Sequence, residues 1–114
     1  MKQPFLLTYS IRTNDNYPDS EANAAVIREQ ILSFLSADTE RTTSVIKHDD
    51  VETTISGKIE VPSGLNSTKR DAVERTIKDA FSSLLKTQKI NAYSIDIYGV
   101  IYAGTLESPV IIYM

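Results

Sequence analysis

The sequence predicts an α+β fold with the element order β-α-β-β-α-β-β. Three observations predict it. Residues 51–61 alternate over their whole length: Val51, Thr53, Ile55, Gly57, Ile59 and Val61 share one face, and Glu52, Thr54, Ser56, Lys58 and Glu60 share the other. That is the period of a strand with one face on a core and one in water. Two further stretches, beginning near residues 20 and 68, carry apolar residues at helical spacing. Clusters of Asn, Asp, Pro, Ser and Gly punctuate the chain between these segments.

Taken in order, residues 5–12 form the first strand, with Phe5, Leu7, Tyr9 and Ile11 inward and Leu6, Thr8, Ser10 and Arg12 outward. Residues 13–19 are a loop. Asp19 or Ser20 caps a helix running to about residue 36, whose stripe is Ala24, Ile27, Ile31, Phe34 and Leu35. Glu21 stands in its first turn, where the helix dipole favours an acid. Residues 41–48 form a second strand, and Asp49-Asp50 form a two-residue turn into the strand at 51. This register sets Ile46 opposite Thr53 and Ser44 opposite Ile55 on the inner face, and Lys47 opposite Glu52 on the outer face.

Pro62-Ser63-Gly64 ends the third strand. Ser67 or Thr68 caps the second helix, with Asp71 completing a variant of the capping box. Its stripe is Val73, Ile77, Ala80, Phe81 and Leu84; the acid-before-base pairs Asp71–Arg75 and Glu74–Lys78 add a few tenths of a kcal/mol each. Residues 91–98 form the fourth strand, with Tyr93, Ile95 and Ile97 inward. Gly99 interrupts it as a bulge or a break, and residues 100–103 continue it. Residues 110–114 close the order as a fifth strand. Two right-handed crossovers joined by a hairpin predict a ferredoxin-like split βαβ sandwich, β-α-β-β-α-β plus a C-terminal fifth strand. Both helices lie on one face of an antiparallel or mixed sheet, within a single domain spanning residues 1–114.

Composition excludes several classes of function. The chain has 114 residues and no cysteine, so neither a disulfide framework nor a thiolate metal site is available. No stretch approaches the ~18 apolar residues of a membrane span, and the N-terminal run is too short and polar for a signal peptide. No membrane partner is expected, and the cytoplasm is the expected location. Net charge is −3 and unevenly spread. Residues 67–89 carry the bases Lys69, Arg70, Arg75, Lys78, Lys86 and Lys89 against the acids Asp71, Glu74 and Asp79, whereas residues 13–60 are predominantly acidic. Such polarity can steer a partner, but a charged helix face more often only solvates a surface.

Candidate chemistry is sparse. His48, the only histidine, precedes Asp49 and Asp50, weak candidates for a divalent metal or for a small metal-dependent nuclease or hydrolase. Adjacent residues rarely converge on one ion, and a polar hairpin turn is the simpler reading. A nucleophilic triad has no evident members, and no glycine-rich phosphate loop is present. Thr68, Lys69 and Arg70, at the start of the second helix, are weak candidates for holding an anionic small ligand. The outward residues of the first and third strands carry no aromatic side chain for base stacking and, with the net charge, argue against nucleic acid. No cofactor is implied.

The C-terminal strand is the more telling feature. Val110, Ile111, Ile112, Tyr113 and Met114 are apolar on both faces, whereas an edge strand is ordinarily blunted by charge or proline. With Tyr98 and Tyr102 nearby, the expected interface is Tyr98, Tyr102, Val110, Ile111, Ile112 and Tyr113. The function expected from these residues is non-enzymatic: an interaction or regulatory protein that self-associates through its last strand and binds another protein. Strand burial by the rest of the chain is the competing explanation.

Overall fold

The computed structural model describes residues 1–48, 53–104 and 106–114. Asp49, Asp50, Val51 and Glu52 lie outside the described residues, and so do the turn and the candidate metal ligands assigned to them.

Alternation builds the sheet. Strand β1 (Lys2–Thr13) buries Phe5, Leu7 and Tyr9 and exposes Leu6, Thr8 and Ser10, as its period-2 pattern requires. It lies at the centre, paired antiparallel on one side with β3 (Thr54–Glu60) and on the other with β4 (Ile95–Ala103). Strand β2 (Thr42–Lys47) borders β3, and β5 (Val110–Tyr113) borders β4, giving the order β2-β3-β1-β4-β5 with every neighbouring pair antiparallel.

Helices α1 (Ser20–Ala37) and α2 (Asn66–Thr87) cover one face. Ala24, Ile27, Ile31 and Leu35 of α1 and Val73, Ile77, Ala80, Phe81 and Leu84 of α2 join the inward strand residues in one core cluster. Tyr9 meets Phe81 edge-to-face at 5.5 Å between ring centroids. Phe34 is only partly buried. No helix among the described residues is long and apolar enough to cross a membrane.

Five local expectations are corrected. First, β2 and β3 pair as Lys47↔Ile55 and Ile46↔Ser56, not in the register of a two-residue turn. The pairing slips by an odd number of residues, so the faces invert: Ile46 is 55% exposed, and Val45 packs against the core in its place. A bulge between Thr43 and Ile46, with Ser44 at φ 55°, absorbs the mismatch. Gly57 makes room for it, because a Cβ there would lie 3.0 Å from both Thr43 O and Val45 Cα.

Second, α2 begins at Asn66 behind Leu65, so Ser67 and Thr68 lie within the helix and neither caps it. Third, Asp19 occupies the N-cap position of α1 but makes no side-chain cap bond. Fourth, Tyr93 does not point inward. Asn91 Oδ1 accepts from Tyr93 N at 2.9 Å and Ser94 Oγ donates to Asn91 O at 2.6 Å, winding a 3-10 turn (Ala92–Ser94) that leaves Tyr93 exposed. Fifth, Gly99 is neither a bulge nor a break. It pairs in continuous register with Tyr9 on one side and Ile112 on the other.

Candidate interaction surface

The face of the sheet opposite the helices divides into two halves. On β3 and the adjoining part of β1 it presents Thr54, Ser56, Lys58, Glu60, Thr8 and Ser10. Toward β5 it becomes apolar and aromatic, because the outward positions of β4 and β5 beyond Asp96 are Tyr98, Val100, Tyr102, Ile111 and Tyr113.

Register brings these side chains side by side. Leu6 faces Tyr102 across β1 and β4, while Val100 faces Ile111 and Tyr98 faces Tyr113 across β4 and β5. The rings of Tyr98 and Tyr113 meet edge-to-face at 4.7 Å, and the Arg12 guanidinium lies 5.4 Å from the Tyr98 ring centroid. Tyr113 Oη donates to Asp96 Oδ1 at 3.2 Å. The negative charge of Asp96, together with this hydrogen bond, raises the Tyr113 phenol above its ordinary pKa. Tyr102, Ile111 and Tyr113 are each more than half exposed, and Leu6 is 42% exposed, so the strip is a contiguous apolar surface with polar ends.

Four of the six residues expected at an interface, Tyr98, Tyr102, Ile111 and Tyr113, therefore lie on this face. Val110 and Ile112 do not: they point to the helix side and are 3% and 0% exposed. Period-2 alternation splits the apolar pentapeptide into two core residues and two surface residues, with Met114 partly buried against the core. Leu6 and Val100 complete the strip. The outward position of Leu6 was legible in the sequence, but its pairing with Tyr102 depends on register.

The two sheet edges are built differently. The β2 edge is interrupted by the Ser44 bulge and carries Lys47, both of which hinder pairing with another strand. The β5 edge has neither bulge nor charge. Met114 and Ile97 exchange both backbone hydrogen bonds at 2.9 Å. By alternation Val110 and Ile112 also bond toward β4, and the N–H and C=O groups of Ile111 and Tyr113 point to the free edge.

The weaker candidates separate. The Arg70 guanidinium donates from Nη1 to Ser108 O and Oγ, both at 2.9 Å, and from Nη2 to Pro109 O at 2.8 Å. It fastens the segment before β5 to α2. Lys69 lines a hollow of about 380 Å³ with Gln3, Val61, Pro62, Ser63 and Leu106, and Thr68 is exposed on the first turn of α2. His48 Nε2 lies 2.7 Å from Ser56 Oγ across the β2–β3 pair, a contact the expected register would not have formed. A base at that distance from a hydroxyl is the first requirement of an activated serine, but no hydrogen bond to His48 Nδ1 orients the ring among the described residues. No group of three or more His, Cys, Asp or Glu side chains able to hold a metal occurs among the described residues. Comparison with protein-family models, with curated proteins and with solved structures finds no match to this chain.

Proposed function

We propose that this chain works by binding rather than catalysis, as a small interaction or regulatory protein that self-associates and contacts a protein partner through the β4–β5 half of its open face. The carrying observation is the contiguity of Leu6, Tyr102, Val100, Ile111, Tyr98 and Tyr113 on one exposed sheet face that ends in an uncharged edge strand. Aromatic residues are enriched where interfaces form, and patches of this kind mark contact surfaces.

The scaffold is read as a ferredoxin-like split βαβ sandwich extended by β5. What supports this reading is that each β-α-β unit skips one strand: β1–α1–β2 passes over β3, and β3–α2–β4 passes over β1. Fold alone assigns no activity. Sedimentation velocity from micromolar to submillimolar concentration tests the binding reading. Concentration-dependent association, weakened by Tyr102→Lys at unchanged thermal stability, is the expected result. A monomer at every concentration removes self-association from it.

A further inference from the structure

We infer that the β5 edge pairs antiparallel with β5 of a second copy about a two-fold axis passing at Ile112, joining two sheets into one. The inference deepens the proposed binding reading and rests on it. Its first support is the backbone. Ile111 and Tyr113 are the β5 residues whose N–H and C=O groups face outward. A two-fold axis at Ile112 sets each Ile111 against Tyr113 of the other copy, and every outward donor and acceptor of the two strands meets a partner.

The neighbouring register is worse for a reason internal to the chain. An axis at Ile111 would set Tyr113 opposite Pro109. Proline has no N–H, and the Pro109 carbonyl already accepts from Arg70 Nη2 at 2.8 Å. The Ile112 register avoids both conflicts.

Side chains and charge agree. The pairing places Ile111 beside the other copy's tyrosine on the open face, a β-branched–aromatic cross-strand pair that continues the Tyr98–Tyr113 contact across the axis. A chain of net charge −3 repels its own copy in general. Residues 109–114 carry no charged side chain, so the paired strands set no like side-chain charges directly opposite one another. At the opposite edge Lys47 and the Ser44 bulge would oppose the same arrangement.

The test is sedimentation equilibrium on the full chain and two variants. Ile111→Pro removes an outward N–H without touching a β4–β5 bond, and Ile46→Lys alters only the opposite edge. The expected result is association weakened about tenfold or more by Ile111→Pro, from the two hydrogen bonds lost per dimer, and unchanged by Ile46→Lys. Thermal melts confirm that both variants fold. In a chain with no native cysteine, the double variant Ile111→Cys/Tyr113→Cys is then oxidised. Disulfides linking position 111 of one copy to 113 of the other support the register. Undiminished association of Ile111→Pro overturns the inference, as do disulfides of any other pairing. If Tyr102→Lys abolishes association while Ile111→Pro does not, the inference fails and face-mediated binding stands. If the wild type never associates, self-association fails with it.

Discussion

Ile112 packs its side chain over Gly99. The two residues face each other across β4 and β5, and a methyl group at position 99 would lie 2.8 Å from Ile112 Cγ1 and 3.0 Å from its Cδ1. Glycine is required here for space, since its φ is not in the left-handed region. The absent Cβ lets the edge strand seat Ile112 in the core, and Ile111 and Tyr113 are turned outward as a consequence.

Gly99→Ala is therefore expected to lose about 1–2 kcal/mol by overpacking. In an Ile112→Ala background the penalty shrinks, because both Cγ1 and Cδ1 are gone. A urea double-mutant cycle measures the coupling, and additivity of the two changes would refute the contact as its cause.

Thr42 closes the end of α1 from within the core. It is 1% exposed, and its Oγ1 donates to Leu35 O at 2.5 Å and lies 3.1 Å from Asp38 O. Thr42→Val keeps the shape and removes the donor. The expected loss is about 1–3 kcal/mol, read as a lower urea midpoint at constant slope.

Asp96 holds the Tyr113 phenol protonated above its ordinary value of 10.0. A folded pKa raised above the unfolded one means stability present in full below pH 10.0 and lost as pH rises through the folded value. Asp96→Asn removes the charge and should return the phenol toward 10.0, followed by carbon NMR of the tyrosine rings with Tyr113→Phe for assignment. An unmoved titration would show that Asp96 does not govern it.

Arg70 tethers the segment leading into β5. Arg70→Lys keeps the charge and loses the fork that reaches both Ser108 and Pro109. The expectation is a loss of about 1–2 kcal/mol and faster hydrogen exchange in β5 than in β1. Equal acceleration in both strands would mean that the tether acts on global stability alone.

Arg41 draws α1, α2 and the start of β2 together. Its Nε lies 2.5 Å from Asp38 Oδ2 and its Nη1 3.0 Å from Asp79 Oδ2. Partial burial by itself lowers the Arg41 pKa, but the hydrogen bonds and charges of Asp79 and Asp38 outweigh it and the net direction is upward. Asp79→Asn should cost less than about 1 kcal/mol, a cost that falls with added salt because the pair is solvent-exposed.

Periodicity carried the sequence reading wherever an element is long. The inward set Phe5, Leu7 and Tyr9, the alternation at Ile55 and Ile59, and the stripes of both helices apart from the partly buried Phe34 follow from spacing alone, because one face of each must leave water. The exposure of Tyr102, Ile111 and Tyr113 follows from the same parity once β4 and β5 are recognised as strands.

What tertiary structure decided was register and local diversion. Ile46 points outward because the β2–β3 pairing slips by an odd number of residues, and charge matching at Lys47 could not reveal that. Tyr93 leaves the strand because the Asn91 side chain captures its N–H. The meeting of Leu6 with Tyr102, and of His48 with Ser56, joins residues distant in the chain or separated by a connection whose length no periodicity sets. Sequence alone determined the inward and outward faces of β1, β3 and the two helices, since burial there is a local consequence of periodicity, whereas the faces of Ile46 and Tyr93 were set by register and by a local turn. Only the folded sheet decided which residues stand opposite one another, since register depends on the balance of packing across the whole layer.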